Sequence, residues 1–346
     1  MIGDLIPHSK PWIHDSDLQA VGTVLRSHMI AVGTTTRTFE RAVSAECCAI
    51  DGVCQSSGTA ALLLALRTLG VGAGDEVVLP TYVCRNVVDA IAATGAAPSF
   101  ADVDELGLLT ISTARSALSS RTRAVIAVHL FGNSCDIEGL RTLGHPVIED
   151  ACQAVGMESR GRKAGSRGDL AVLSFHATKM LTTGEGGMVV SAHPRLLDRA
   201  RALTSPSQHP SPSVFAPMSD LQAALGLSQL QRLATMLDRR RAIAKRYDEA
   251  LVGIPETTLP ADRSNCIFRY TFRSGRGFTA LEAHFNRHGV CVRRGVDALL
   301  HRSRGEADAR YPIATRLLET TVSLPCYPAL TDPALDRVCH ALRALR

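Results

Sequence analysis

Between about residues 53 and 191 the chain repeats one pattern that leaves few folds open: short apolar runs bounded by turn residues, separated by helix-like stretches. Glu76-Val77-Val78-Leu79-Pro80, Ala97-Pro98-Ser99-Phe100-Ala101, Ala124 to His129, Pro146-Val147-Ile148-Glu149, Leu170 to Phe175 and Met188-Val189-Val190 are too short for helices and too evenly apolar for half-exposed strands. Such runs fit strands buried on both faces, as in a mostly parallel sheet. Thr59 to Leu69 and Val87 to Ala93 read as intervening helices. The pattern predicts an α/β fold with helices covering both faces of the sheet.

With 346 residues, 45% of them hydrophobic, the chain can bury a large core in one domain or two. Residues 204 to 217 interrupt the alternation: three prolines set among serines, from Thr204 to Ser213, cannot continue a helix and predict a loop. One long helix is expected after it, from Ser219 to Leu251, apolar at first and charged later (Arg239-Arg240-Arg241). That suits a helix leaving one core for another. The boundary is therefore placed at residue 240, with a large domain and its N-terminal arm over 1–240 and a smaller α+β domain over 241–346. The last helix is expected to start at Asp332 as N-cap with Pro333 at the first helical position.

Composition removes several function classes. A net charge of +5 with scattered arginines, no basic tail and no zinc-finger spacing argues against nucleic acid as a partner. No apolar run approaches the ~20 residues of a membrane span. The N-terminal residues lack the basic start and apolar core of a signal peptide. The ten cysteines include no C-x-x-C pair and read as small buried residues in a reducing, cytoplasmic setting, not as a disulfide framework or a metal site.

Only four of the 38 Lys+Arg residues are lysines: Lys10, Lys163, Lys179 and Lys245. Lys179 follows the strand-like Asp169 to Phe175 in the segment Ser174-Phe175-His176-Ala177-Thr178-Lys179, which runs on to Gly184-Glu185-Gly186-Gly187. By itself it reads as a surface lysine at a strand end. A chain that otherwise chooses arginine has reason to keep a lysine where a primary amine must lose its proton or form a Schiff base. Twenty-nine residues upstream, Ile148-Glu149-Asp150-Ala151-Cys152-Gln153 places a carboxylate at another strand end, where open α/β sheets bind ligands. Pyridoxal phosphate (PLP) needs both partners, a lysine for its aldehyde and an acid for its ring nitrogen. A third element, Ser56-Ser57-Gly58-Thr59-Ala60, opens a helix directly after an apolar run and offers free N–H groups to an anion.

These segments together resemble the DegT/StrS type of sugar aminotransferase, a family of fold-type I PLP enzymes. The match includes Ser57 to Leu62, Gly74-Asp75-Glu76-Val77, Val128-His129-Leu130-Phe131-Gly132, Ile148 to Ala154, Gly165-Ser166-Arg167-Gly168-Asp169, the Lys179 segment, Leu221 to Gly226 and Leu324-Pro325-Cys326-Tyr327-Pro328. The resemblance implies a mostly parallel seven-stranded sheet covered by helices, with a smaller α+β C-terminal domain. It implies that Lys179 forms the internal aldimine and shuttles the proton, and that Asp150 pairs with the pyridinium nitrogen. At ~4 Å and an effective dielectric of about 20, that pairing is worth roughly 4 kcal/mol. Gln153 would meet the ring hydroxyl, Ser174 with Gly58 and Thr59 the phosphate, and Tyr82 the face of the ring. For Tyr82 a plain core tyrosine is the competing reading. His129 and His176 lie at strand ends where they could border the pocket, but they are read as hydrogen-bonded structural residues without a catalytic role.

The match fails where relatives bind substrate. An expected Asn-His-Gly segment is replaced by the Ser/Pro loop, with Gln208-His209 as possible substitutes. Phe215-Ala216-Pro217-Met218 replaces an Asn-x-Arg-Met, and Val292-Arg293-Arg294-Gly295-Val296-Asp297 replaces a histidine-tyrosine segment. Arg293, Arg294 or Arg302 is therefore expected to meet an anionic group on an unusual acceptor. The activity expected is transfer of an amino group from glutamate or glutamine to a keto-sugar, cyclitol or related intermediate, by a homodimer. The alternatives are PLP-dependent elimination or dehydration, and a PLP-binding regulator without turnover.

Overall fold

The computed structural model describes residues 5–205, 216–259 and 266–346. Most of the Ser/Pro loop, including Gln208, His209 and Phe215, lies outside the described residues. Seven strands form the main sheet, in the spatial order Asp51–Gln55, Gly187–Ser191, Leu170–Ser174, Val147–Asp150, Thr122–Val128, Glu76–Pro80 and Ala97–Ala101. All neighbours are parallel except Gly187–Ser191, which runs antiparallel to both of its partners. The apolar runs fill the sheet's interior: Val77, Val78, Leu79, Ala124, Ile126 and Ile148 have no exposed surface. Burial on both faces is why these strands lack a polar alternation.

The helix Gly58–Thr68 starts where the sequence predicts, with the Ser57 hydroxyl accepting the Ala60 N–H at 3.1 Å. The expected helix from Ser219 to Leu251 is two helices, Asp220–Leu230 and Leu233–Leu251, broken at Gln231-Arg232. Arg232 leaves helical geometry, and its guanidinium reaches the buried Asp17 at 2.8 Å. No proline or glycine marks the break, so periodicity runs through it unseen. The second helix joins two cores. Leu233, Met236 and Leu237 pack beside the main sheet, whereas Ile243, Ala244, Tyr247 and Leu251 pack under a smaller one. At the crossing Arg240 is 3% exposed and donates from Nη1 to the carbonyls of Phe268 and Cys326.

The smaller sheet is antiparallel, in the order Thr257–Thr258, Tyr270–Ser274, Thr321–Leu324, Arg293–Arg294. The N-terminal arm joins its core through Ile6, which bridges to Val290, and the His8 ring contacts the Ser323 hydroxyl at 2.9 Å. Between Arg294 and Thr321 the chain returns to the large core, where Val296, Leu299, Leu300, Tyr311 and Leu317 are buried. The last helix spans Asp332–Arg343, but its cap is Thr331, whose hydroxyl accepts the Ala334 N–H. Asp332 is thus the first helical residue. Among the described residues no helix is long and apolar enough to cross a membrane.

Below the sheet's ligand end lies a buried charge. Glu149 accepts N–H groups from Gly165, Arg167 and Gly168 at 2.7 to 3.0 Å and pairs with the His129 ring at 2.8 Å. Burial alone would raise its pKa, but the His129 hydrogen bond and the backbone donors prevail and hold it at about 2. The unfolded chain therefore binds the extra proton between pH ~4.5 and ~2. This carboxylate's contribution, about 3 kcal/mol, is fully present above that window and lost as pH falls through it. Urea midpoints measured from pH 5.5 to 2.5 should fall steeply for the wild type, and Glu149→Gln should lower the plateau and flatten the slope.

Candidate active site

The carboxyl ends of the strands open into a cavity of about 330 Å³. It is lined by six of the residues singled out in the sequence: Gly58, Thr59, Asp150, Gln153, Ser174 and Lys179. Asp150 ends the strand Val147–Asp150, registered between Val128 and Val172 of its neighbours, and is 6% exposed. Its Oδ1 accepts the Cys152 N–H at 3.0 Å. Lys179 stands in the turn after Leu170–Ser174, where its N–H donates to the His176 carbonyl at 2.9 Å. Its Nζ lies 5.1 Å from the centre of the Phe268 ring.

Gln153 is aimed by a piece of unusual backbone. Its Oε1 accepts the Phe131 N–H at 2.7 Å, which leaves its NH2 as the donor it can offer a ligand. Phe131 takes a left-handed φ of 60° and Gly132 follows with φ 94°. A Cβ on Gly132 would run into the carbonyl of Cys266, so only glycine fits there. The segment from Val128 to Gly132 therefore does two jobs: His129 anchors Glu149, and Phe131 holds Gln153.

The anion cradle is built by close approach. A Cβ on Gly58 would lie 2.9 Å from Ser174 Cβ, and one on Gly187 would lie 2.6 Å from the Gly58 nitrogen. Two glycines thus let the start of the helix Gly58–Thr68 meet the strand ends with its N–H groups uncovered. Asn86 Nδ2 steadies Thr59 through its hydroxyl at 3.0 Å. Burial and the nearby Asp150 push the Cys152 thiol well above its ordinary pKa, so it stays protonated. A lone amine, a buried carboxylate, a free amide donor and an uncovered helix start fit PLP. No metal arrangement competes: among the described residues no group of three or more His, Cys, Asp or Glu could hold an ion.

Three expectations need correcting. Tyr82 does not line the cavity: it is 1% exposed, its hydroxyl contacts the Leu317 carbonyl, and its ring meets Phe131 edge to face. Val83 and Cys84 line the wall instead. Arg294 is engaged elsewhere, donating to the Leu318 carbonyl at 2.9 Å and lying over the Phe278 ring, and neither it nor Arg293 borders the cavity. Arg302 forms a two-pronged pair with Asp308. His176 borders the cavity, as its place at a strand end suggests, and Glu185 and Asp297 from segments named in the sequence line it too, whereas Asn86 and Arg269 line it unforeseen. Arg269 sits in Ile267-Phe268-Arg269-Tyr270, which reads as an ordinary strand entry and carries no motif.

Fold and site define a PLP-dependent aminotransferase. The chain belongs to the DegT/DnrJ/EryC1/StrS aminotransferase family, whose model matches residues 11–343. It is 34% identical to SpsC, a spore coat polysaccharide biosynthesis protein of Bacillus subtilis (strain 168), over 98% of this chain and 96% of that protein. Among solved structures it resembles the aminotransferase TlmJ from Streptoalloteichus hindustanus, at 33% identity and TM-score 0.92 over 98% of both chains. It also resembles Spr1654 from Streptococcus pneumoniae, named as a candidate sugar aminotransferase, in its PLP form, at 26% identity and TM-score 0.91 over 98% of both chains. Spr1654 is solved in a PMP form as well.

The cradle makes a specific prediction. In Gly187→Ala the new methyl must displace the Ser57–Gly58 peptide, and overpacking of this kind costs about 1–3 kcal/mol, so PLP should bind roughly 5- to 150-fold more weakly. Titrating apoprotein with PLP, read by absorbance, checks this.

Proposed function

We propose that this chain moves an amino group from glutamate or glutamine to a keto group on a sugar, cyclitol or related biosynthetic intermediate. The observation that carries the reading is the convergence of Lys179 and Asp150 on one cavity with Gly58, Thr59, Gln153 and Ser174. Relatives support the sugar: SpsC is named for polysaccharide biosynthesis, and Spr1654 for sugar aminotransfer.

When bound, PLP supplies a conjugated sink for the electron pair left when a proton leaves the carbon bearing the amino group. Lys179 would take that proton at Nζ and later give it back, a task for an amine that a guanidinium cannot do. Asp150 would face the cofactor's ring nitrogen and favour its protonated form. Its burial excludes water, which strengthens that interaction. Gln153 would offer its NH2 to the ring hydroxyl. The Ser174 hydroxyl and the N–H groups at Gly58 and Thr59 would hold the phosphate.

The same reading divides the chain near residue 240 and takes the protein as a homodimer. Leu18, Leu25, Met29, Ile30 and Val32 are exposed along the helix Asp15–Ser27 and the turn after it, an apolar strip that a second copy would cover. Ten unpaired cysteines support a reducing, cytoplasmic setting.

Wild-type holoprotein should show a cofactor band near the visible edge that bleaches on adding L-glutamate or L-glutamine, and Lys179→Ala should show no bleaching at the same PLP occupancy. A band that neither donor changes would turn the reading toward elimination. In sedimentation, Leu25→Asp should shift the wild-type dimer toward monomer.

A further inference from the structure

Anion recognition was expected from Arg293, Arg294 or Arg302, and the cavity holds none of them. The arginine it holds is Arg269. It lines both the 330 Å³ cavity and an adjoining one of about 370 Å³, where Asn86, Gln153 and Asp297 are again present and Arg85, Leu130 and Ser303 are added. Its Nη1 donates to the carbonyls of Arg294 at 3.4 Å and Gly295 at 3.1 Å, which ties down one corner of the guanidinium. Nε and Nη2 make no hydrogen bond with any described residue, and no described carboxylate lies within ion-pair distance. Burial pulls its pKa down while Asp297 acts in the opposite direction, and a guanidinium stays charged through such shifts. A half-buried cation with two unused donors is costly to hold without an anion to meet it.

Its placement relative to the amine allows one small ligand to reach both. Both cations sit on one ring, Lys179 Nζ 5.1 Å and the Arg269 guanidinium carbon 5.7 Å from the centre of Phe268. Added together, these bound their separation at about 11 Å. In an α-amino acid the nitrogen and the carboxylate carbon are ~2.5 Å apart, so ordinary contacts at each end fit within that bound. The guanidinium fork also matches a carboxylate in two-pronged geometry. An amino acid donor always carries this group beside its amine, whereas a keto-sugar acceptor need not carry one.

Resting on the aminotransferase reading, we propose that Arg269 is the receptor for the carboxylate of the amino donor and selects amino acids over neutral amines. Its unused Nε and Nη2 edge binds the carboxylate while Nη1 remains fixed to the carbonyls at the end of the strand Arg293–Arg294.

The test uses PLP-loaded protein and three probes: L-glutamate, read by bleaching of the cofactor band; glutarate, a dicarboxylate without an amine, read by calorimetry; and hydroxylamine, a neutral amine that attacks the same carbon. A lost charge-assisted contact predicts that Arg269→Gln weakens glutamate and glutarate binding about 10- to 150-fold, while the hydroxylamine rate changes less than about threefold. Arg269→Lys, which keeps the charge and loses the fork, should fall between. Equal losses for glutamate and hydroxylamine would mean a structural role and overturn the proposal. So would unchanged glutamate and glutarate binding with a loss confined to the keto acceptor. If wild-type protein binds PLP but reacts with neither glutamate nor glutamine, the aminotransfer reading fails by itself, and the glutarate arm still decides the role of Arg269.

Discussion

The structure hangs on the buried charge of Glu149. Its carboxylate gathers three N–H groups from the turn Gly165 to Gly168 and the His129 ring, so it fixes the ends of two neighbouring strands and the loop that leads into a third. Side chains alternate across a strand, so the next residue, Asp150, must point to the other side. Two adjacent acids thereby divide the work: one stabilises the sheet from behind, and the other faces the cavity. A buried carboxylate is tolerable only when its lone pairs are filled, and here they are. Removing Glu149 would cost stability and also the aim of Asp150.

A second coupling runs from backbone to site. The left-handed Phe131 and the glycine behind it present an N–H to Gln153, so an amide one turn beyond Asp150 is oriented by a loop from another strand. Gly132 is required because the carbonyl of Cys266 occupies the space its side chain would need. That contact ties the large domain's loop to the entry of the smaller sheet, and Phe268 two residues on supplies the ring beneath both Lys179 and Arg269. The cavity therefore draws on both sheets: Asp150 and Ser174 end strands of the larger one, and Arg269 directly precedes the strand Tyr270–Ser274 of the smaller.

Much of this was legible because it rests on local chemistry. The sheet strands, the cap at Ser57, and the choice of Lys179, Asp150 and the Gly58-Thr59 helix start follow from apolar runs, turn residues and a lysine kept by a chain rich in arginine, whereas Gln153 and Ser174 joined them through the family resemblance. The lysine argument has limits: Lys163 forms an ion pair with Glu46 that an arginine would serve equally. What stayed hidden depends on tertiary placement. The break at Gln231-Arg232 is set by the pull of Asp17, more than 200 positions away in sequence, and no breaker residue announces it. Tyr82 carries the right side chain at a strand end, yet its ring turns into the core between Phe131 and Leu317 and leaves the wall to Val83 and Cys84.

The arginines show the same limit from the other side. Sequence counts Arg293, Arg294 and Arg302 as equals, but burial and partners sort them. Arg294 is used on a carbonyl and a ring, Arg302 on Asp308, and Arg269, in a stretch without any motif, keeps an open edge toward the cavity. Where the histidine-tyrosine segment of relatives is missing, Gly295-Val296-Asp297 stands in its place, and the carbonyl of Gly295 is one of the two that hold Arg269. A side chain on Gly295 would strike the Tyr82 ring, so that substitution, the inward turn of Tyr82 and the fixing of Arg269 form one packing solution. Backbone carbonyls at the end of the strand Arg293–Arg294, and not a carboxylate, thus hold Arg269 in place, and they leave its Nε and Nη2 edge uncommitted.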